Sequence, residues 1–228
     1  MNELLEKLKN ISTLEAVKIE ESDKQYIALK NLYLKIKNKD FYLSLIIANS
    51  IICYQLSGSG ENYWEEFSNY FSESEIKSVG EVTKKLSIFI KNSKGNKRFI
   101  QTKISRLEKL KPFLEIFIGN EYFYYKNMEN LQTNLAKIMN QKIGDKTIVF
   151  GVKMFSYGSR NYFNKLIYFP ENIPIPIDSR LTKIYEKFND DMSLSIQDFY
   201  KNLSLKLNIP PLHLDAVLWV NYEELINS

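Results

Sequence analysis

A glycine and a lysine two positions apart, Gly144 and Lys146, stand at a turn between two segments of helical pattern. The second segment opens at this turn, so Lys146 lies at its N-terminal end, where unpaired N–H groups carry partial positive charge. That charge disfavours a second cation and favours the neutral amine. Because a neutral lysine amine is a nucleophile, the spacing predicts that Lys146 attacks an electrophilic carbon.

The abundance of lysine weighs against any assignment that rests on Lys146 alone. The chain has 31 lysine and arginine residues, and an individual lysine is usually a solvated surface charge. Lys142 and Lys153 are alternatives on the same stretch. The Gly-x-Lys spacing at the turn distinguishes Lys146 from both.

A carboxylate follows Lys146 at a separation of 32 positions (178 − 146 = 32). Residues 169–178, FPENIPIPID, place prolines among apolar residues, which predicts an extended, non-helical segment. The segment ends at Asp178, directly before a helical pattern, and aspartate is among the preferred N-cap residues. Two interpretations stay open here: Asp178 only caps this helix, or its carboxylate also assists Lys146.

Composition bounds the class of protein. The 228 residues, with 44% hydrophobic and 25% charged, are typical of a soluble globular protein of one large domain or two small lobes. A single cysteine, Cys53, excludes a disulfide framework, a thiolate zinc finger and a four-cysteine iron–sulfur cluster within this chain. We expect no metal and no other cofactor. The charged first residues and the lack of a long apolar run predict a cytoplasmic protein without a membrane span.

Apolar residues at three- and four-residue spacing recur along the chain, and no convincing strand pattern is present, so we predict an all-α fold. One predicted helix is apolar on nearly every face and is expected to be central and buried. The predicted helices cover residues 1–10, 23–37, 41–55, 61–71, 76–91, 128–140, 141–158, 193–207 and 212–226, and one starts at 179.

Positive charge is concentrated in residues 84–111, which hold ten lysines and arginines and a single acid, Glu108. This segment is either a surface for DNA phosphates or the solvated face of a lysine-rich protein. The net charge of +4 does not decide between the two.

Four blocks in order carry a resemblance to a known family: YQLSGSGENYWEEFSNYF, QKIGDKTIVFGVKM, IPIPIDSRL and HLDAVLWVNYEEL. The second and third resemble the lysine-bearing hairpin and the downstream aspartate of helix-hairpin-helix DNA glycosylases. Together the four are similar to the archaeal 8-oxoguanine DNA glycosylases, from about Gln25 to Trp219. The resemblance implies two helical lobes with the active site in the cleft between them. We predict that one lobe comprises residues 41–154 and the other residues 1–40 plus 155–228.

The resemblance also implies roles for individual residues. Lys146 is expected to attack the sugar C1′ and Asp178 to be its carboxylate partner. Gly144 is expected to bind DNA phosphate, since a glycine turn at a helix start lets backbone N–H groups approach an anion. The base would be bound by Gln25, Cys53, Trp64, Phe150, Ser179, Asp215 and Trp219.

For some of these positions the residue type itself supports the role, and two positions differ from the usual family residue. Asp215 and Trp219 are four apart on one helix and share a face, and a carboxylate suits the extra N–H that 8-oxoguanine carries. Ser179 stands where the family usually has proline, and Cys53 where it has a small polar residue. His213, the single histidine, we interpret as structural or DNA-facing, with no catalytic or metal role.

The sequence therefore predicts a monomeric DNA glycosylase and lyase that removes 8-oxoguanine from DNA. A glycosylase of the same fold for another damaged base is the nearest alternative. A non-catalytic DNA-binding module that uses the hairpin only as a phosphate clamp is an alternative of another class.

Overall fold

The computed structural model describes residues 1–191 and 193–227, and every regular element within them is an α-helix. The predicted all-α fold is confirmed. The helices are α1 Asn2–Leu8, α2 Thr13–Glu20, α3 Lys24–Lys35, α4 Tyr42–Ile52, α5 Gly60–Phe71, α6 Val79–Asn92, α7 Ile100–Phe117, α8 Glu121–Lys126, α9 Met128–Met139, α10 Lys146–Phe163, α11 Ser179–Phe188, α12 Ile196–Leu207, α13 Pro211–Val220 and α14 Tyr222–Asn227. In the described part of the chain, none of them is long and apolar enough to cross a membrane.

The chain divides into two compact units, each with its own core. A central unit comprises Lys24–Ile167, and a terminal unit combines Met1–Asp23 with Tyr168–Ser228. These bounds differ from the predicted lobes of 41–154 and 1–40 plus 155–228. The physical reason is that α3 packs on α5 and α10, which keeps both ends of the central segment with its own core.

The core of the central unit forms around α4. All residues of Tyr42–Ile52 are buried, as the apolar sequence predicts, and α10 packs along this helix. Gly158 permits the close approach, because a Cβ at this position would lie 2.4 Å from Ile46 Cδ1 and 3.2 Å from Leu43 Cδ2. Packing against α4 therefore holds in place the helix that begins at Lys146.

The terminal unit packs α13 against α2 and gathers α1, α11 and α12 around one apolar cluster. Pro211 is the first residue of α13, a position at which proline is favoured. The segment 169–178 is non-helical in the structure, and that prediction is confirmed.

The helix prediction missed three helices and joined two others into one. Helices α2, α7 and α8 were not predicted, and α7 continues through Pro112. The helix predicted at 212–226 is divided at Asn221, whose side-chain amide donates to Val217 O at 2.9 Å. Asparagine ends helices in this way because its side chain competes for backbone hydrogen bonds.

Candidate active site

The lysine-bearing hairpin consists of α9, a turn and α10. Asn140 ends α9 in the left-handed conformation, with φ of 52°, which asparagine tolerates better than most residues. Lys146 is the first residue of α10, and both Lys146 and Gly144 are exposed. The predicted turn and the predicted position of Lys146 at the helix start are therefore present.

Side chains close the turn from both sides. The Asp145 carboxylate accepts a hydrogen bond from Lys142 N at 3.1 Å, and Gln132 Nε2 donates to Ile143 O at 2.9 Å. Asp145 precedes the helix but makes no side-chain cap bond to it. The carboxylate thus fixes the turn instead of covering the N–H groups at the start of α10.

Arg106 on α7 braces this hairpin. Its Nε donates to Ile51 O at 3.1 Å, and its Nη2 donates to Gln141 Oε1 at 2.7 Å. The same Gln141 oxygen accepts from the Thr147 hydroxyl at 3.1 Å. The guanidinium therefore links the end of α4 to both sides of the turn.

Phe150, Trp64 and Cys53 lie close to Lys146 in the central unit. Phe150 follows Lys146 by one helical turn, and its ring centroid is 6.2 Å from that of Trp64. Burial raises the pKa of the Cys53 thiol to about 12, and Trp64, Lys103 and Lys146 offset part of that rise. The structure thus brings four predicted site residues together.

Trp64 is fully buried, so neighbouring side chains cover its indole ring. Its neighbours are aromatic, with Phe67 at 5.2 Å and Phe150 at 6.2 Å between ring centroids. The indole Nε1 is buried and makes no hydrogen bond of normal geometry within the described residues. Phe150, which is half-buried, covers Trp64 and presents the more accessible ring.

Gln25 lies against the first turn of the helix that carries Trp64. A Cβ built on Gly60 would be 3.0 Å from Gln25 Nε2, so the glycine leaves room for this amide. Gln25 itself is buried. The predicted base-reading glutamine and the predicted indole therefore border the same helix, α5.

The two competing lysines have different surroundings. Lys142 is exposed in the turn, whereas Lys153 is buried, with its ammonium 5.5 Å from the centre of the Tyr157 ring. A buried side chain does not contact DNA phosphates. The burial of Lys153 therefore favours a structural role for this lysine.

In the terminal unit, Asp178 is the N-cap of α11. Its Oδ1 accepts a hydrogen bond from Leu181 N at 2.9 Å, as both interpretations predict. The cap bond uses one carboxylate oxygen, so it is compatible with a further role for the other. Ser179 is exposed at the first helical position, where proline is also favoured.

Asp178 and Asp215 approach the same tyrosine. Tyr200 is buried and donates from its hydroxyl to Leu181 O at 2.5 Å. Burial raises the pKa of Tyr200, and the carboxylates of Asp178 and Asp215 raise it further. The charges of two predicted site residues therefore act on one tyrosine, which the sequence patterns did not indicate.

Arg180 covers one face of Trp219. Its guanidinium carbon lies 3.9 Å from the centre of the indole and 5.4 Å from the centre of the Tyr222 ring. Trp219 is half-buried on α13, and the preceding turn carries the buried Asp215. Arg180 was not predicted, although its position two residues after Asp178 places it at the start of α11.

His213 is buried and structural, as one of the two interpretations predicts. Its Nε2 accepts from Phe169 N at 3.1 Å, so the ring proton lies on Nδ1, which donates to Glu20 Oε1 at 2.6 Å. This pair ties α13 and α2 to the start of the segment that leads to Asp178. In the described residues, no group of three or more histidine, cysteine or acidic side chains is placed to hold a metal ion.

The basic segment 84–111 does not form one surface. Lys103 is fully buried and donates to Asn96 Oδ1, while Arg106 is half-buried at the hairpin. Burial lowers the pKa of Lys103 to about 8, with the nearby charge of Arg98 acting in the same direction. Only tertiary packing reveals which members of the segment point inward.

The chain is similar to known proteins along nearly its whole length. Residues 5–228 match the model of the AGOG family, described as N-glycosylase/DNA lyase. A curated N-glycosylase/DNA lyase of Methanococcus maripaludis is 42% identical over 223 residues, which cover 96% of this chain and 86% of the relative. Another, from Thermococcus kodakarensis, is 38% identical over 222 residues, with coverage of 96% and 82%.

A solved structure has the same fold. The 8-oxoguanosine complex of Pa-AGOG, an 8-oxoguanine DNA glycosylase from Pyrobaculum aerophilum, superposes with a TM-score of 0.84 at 24% identity, covering 97% of this chain and 87% of that one. Sequence matches along nearly the whole length, together with this fold, establish the family. The chain belongs to the AGOG family of N-glycosylase/DNA lyases.

Proposed function

We propose that this protein excises 8-oxoguanine from DNA and then cleaves the strand, with Lys146 as the nucleophile for both steps. We further propose that it acts as a monomer in the cytoplasm. The observation that carries the proposal is the exposed amine of Lys146 at the start of α10, one turn before the ring of Phe150. The family, whose members are N-glycosylase/DNA lyases, and the 8-oxoguanosine bound to Pa-AGOG support the reaction and the base.

The chemistry starts from the neutral amine. Its lone pair forms a bond to the sugar C1′ while the bond from C1′ to the base breaks, and the base leaves with that electron pair and takes up a proton. Loss of a proton from nitrogen and opening of the sugar ring give a Schiff base. Removal of the acidified C2′ proton then expels the 3′ phosphate, and hydrolysis of the Schiff base frees Lys146.

Asp178 is proposed as the carboxylate that takes the amine proton or stabilises positive charge developing on the sugar. Its Oδ1 is engaged in the cap bond to Leu181 N, so Oδ2 is the atom assigned to this role. The cap fixes the carboxylate on a helix start, which reduces the freedom that a catalytic group would otherwise lose in the transition state.

Asp215 is proposed to distinguish 8-oxoguanine from guanine. The oxidised base carries an N7–H where guanine has an acceptor, and a carboxylate binds that donor but repels a lone pair. Trp219 and Phe150 are proposed as stacking partners, with one face of Trp219 already occupied by Arg180. Gln25 is proposed to bind an edge of the base through its amide.

The remaining predicted residues receive supporting roles. Cys53 and the Nε1 of the buried Trp64 are proposed to line the base site from behind Phe150. Ser179 is proposed to contribute through the backbone at the start of α11. Gly144 is proposed to face a DNA phosphate, because the exposed turn before α10 presents backbone N–H groups to an anion.

Borohydride trapping on duplex DNA containing one 8-oxoguanine tests the mechanism. The wild-type chain should form a covalent adduct, because borohydride reduces the Schiff base to a stable amine. Lys146→Ala should form none. Lys142→Ala, which removes another exposed lysine of the same hairpin, is the matched control and should trap as wild type. An adduct of normal yield with Lys146→Ala would reject Lys146 as the nucleophile.

A panel of duplexes with other damaged bases tests the substrate separately. Asp215→Asn should lower excision of 8-oxoguanine by about 10-fold or more, since one charge-assisted hydrogen bond is worth about 1.5–3 kcal/mol. Excision of another damaged base in preference to 8-oxoguanine would favour the alternative substrate. Salt-dependent DNA binding without base release would favour the non-catalytic module.

A further inference from the structure

A buried tyrosine of the terminal unit is connected to the proposed catalytic carboxylate. Tyr200 lies on α12, and its hydroxyl donates to Leu181 O at 2.5 Å. The same residue, Leu181, donates its N–H to Asp178 Oδ1 at 2.9 Å. A path of two hydrogen bonds through one residue therefore leads from the phenol to the carboxylate.

Hydrogen bonds within the first turn of α11 fix the backbone around Asp178. The side chain caps the helix through Leu181 N. The carbonyl oxygen of Asp178 accepts from Thr182 N at 2.9 Å and from the Thr182 hydroxyl at 2.8 Å. These bonds set the shape of the turn, but they do not set its place in the terminal unit. The bond from Tyr200 ties the turn to a second helix, α12.

Two tyrosine hydroxyls join α11 to its neighbouring segment, one near each end of α11. Tyr185 donates to Leu194 O at 2.6 Å, just before α12, and Tyr200 donates to Leu181 O at the start of α11. The ring of Phe199 packs edge-on against both tyrosines, at 5.3 and 5.1 Å between centroids. The two bonds are of the same type, a phenol to a backbone carbonyl. Of the two, the Tyr200 bond engages the turn that carries the carboxylate.

The surroundings of Tyr200 keep its hydroxyl a donor. Burial raises the pKa of Tyr200, and the carboxylates of Asp178 and Asp215 raise it further, because a tyrosinate would face two like charges. The phenol therefore keeps its proton at neutral pH and uses it in the bond to Leu181 O. A buried hydroxyl in this state does not transfer protons, so its contribution is to hold other groups in place.

The placement of the Asp178 carboxylate limits the proposed chemistry. Oδ1 is held by the cap bond, so the direction of Oδ2 follows from the position of the first turn of α11. A carboxylate that takes up a proton acts over hydrogen-bond distance. A displacement of about 1 Å can cost about 100-fold in rate. A group that holds this turn in place therefore contributes to the rate.

We propose that Tyr200 is a positioning residue for Asp178. Its hydroxyl, acting through Leu181, holds the first turn of α11 so that Oδ2 keeps the orientation that the reaction requires. This proposal rests on the proposed function, because it assumes that the Asp178 carboxylate assists base release. It predicts that the hydroxyl affects the rate of base release and leaves the affinity for DNA unchanged.

Single-turnover excision tests the proposal, with the full chain in excess over a duplex that contains one 8-oxoguanine. Tyr200→Phe keeps the ring and removes the hydroxyl, so base release at saturating protein should slow by about 10-fold. Its affinity for the duplex, measured by fluorescence anisotropy, should change by less than about 2-fold. Tyr185→Phe is the matched control, since it removes the same type of bond at the other end of α11. It should release the base within about 2-fold of the wild-type rate.

A double-mutant cycle separates positioning from a general structural defect. Asp178→Glu keeps the charge but moves it by one methylene, so the orientation that Tyr200 maintains is already lost. In that background Tyr200→Phe should slow base release by less than about 2-fold, whereas a general defect would slow it by about 10-fold again. Thermal denaturation of every variant sets an assay temperature at which all the proteins compared are folded.

The outcomes are distinct. Base release by Tyr200→Phe at the wild-type rate, an equal slowing by Tyr185→Phe, or a further 10-fold slowing in the Asp178→Glu background would overturn the proposal. A loss of DNA affinity in place of rate would do the same. Absence of base release by the wild-type chain would reject the proposed function and this proposal with it. An active wild type with an equally active Tyr200→Phe rejects the proposal for Tyr200 alone.

Discussion

Replacing Lys103 by methionine should change how the stability of the protein depends on pH. Lys103 is fully buried, and burial lowers its pKa from 10.5 to about 8. The unfolded chain therefore binds more protons than the folded one between pH 8 and pH 10.5, and the free energy of unfolding rises with pH in that window. Below pH 8, Lys103 is charged in the folded protein, and its buried ammonium lowers the free energy of unfolding.

The size of the effect follows from the two pKa values. The difference between 10.5 and about 8 corresponds to about 3 kcal/mol at about 1.4 kcal/mol for each pKa unit. About 2.5 kcal/mol of this should be gained between pH 7 and pH 10. Methionine has a similar length and no charge, so Lys103→Met should lack this gain. The loss of the donor to Asn96 lowers its stability at every pH alike.

Chemical denaturation of both proteins at pH 7, 8, 9 and 10 measures the difference. The free energy of unfolding of wild type minus that of Lys103→Met should increase by about 2.5 kcal/mol from pH 7 to pH 10. The exposed Lys84 of α6 provides the control, since the difference for Lys84→Met should not vary with pH. A constant difference for Lys103→Met as well would refute the argument from burial.

Three further substitutions test the supports of the proposed site. Arg106→Gln should lower the free energy of unfolding by about 1–3 kcal/mol, because charge-assisted hydrogen bonds are lost. It should also slow borohydride trapping, because the guanidinium no longer braces the hairpin. Thermal denaturation measures the first effect and trapping time courses measure the second. Arg180→Leu should lower stability by about 0.5–2 kcal/mol, and Arg180→Lys by less, because only the lysine keeps a cation over Trp219; equal losses would argue against the cation–π contact. Glu20→Leu should destabilise by about 1–3 kcal/mol more than Glu20→Gln in urea denaturation, since leucine leaves the buried Nδ1–H of His213 unpaired.

Much of the proposed site could be predicted from local sequence. A glycine turn before an apolar period indicates a helix start, and the structure begins α10 at Lys146. Proline-stiffened chain before an aspartate indicates a capped helix, and Asp178 caps α11. These predictions succeed because turn and cap chemistry depends on neighbours in sequence.

Other features of the structure depend on contacts between residues that are distant in sequence, so no local sequence pattern predicts them. Lys103 and Arg106 look like other members of a basic segment until α7 packs against α4 and turns them inward. Arg180 gains its position over Trp219 only when α11 and α13 meet in the terminal unit.

The raised pKa of the Cys53 thiol affects how the protein responds to oxidants. Oxidants and alkylating agents attack cysteine as the thiolate, and with a pKa of about 12 the side chain stays protonated at neutral pH. We therefore expect peroxides, which produce oxidised guanine in DNA, to react slowly with this residue. A protein whose proposed substrate accumulates under oxidative stress thus carries its one cysteine in a form that such stress leaves intact.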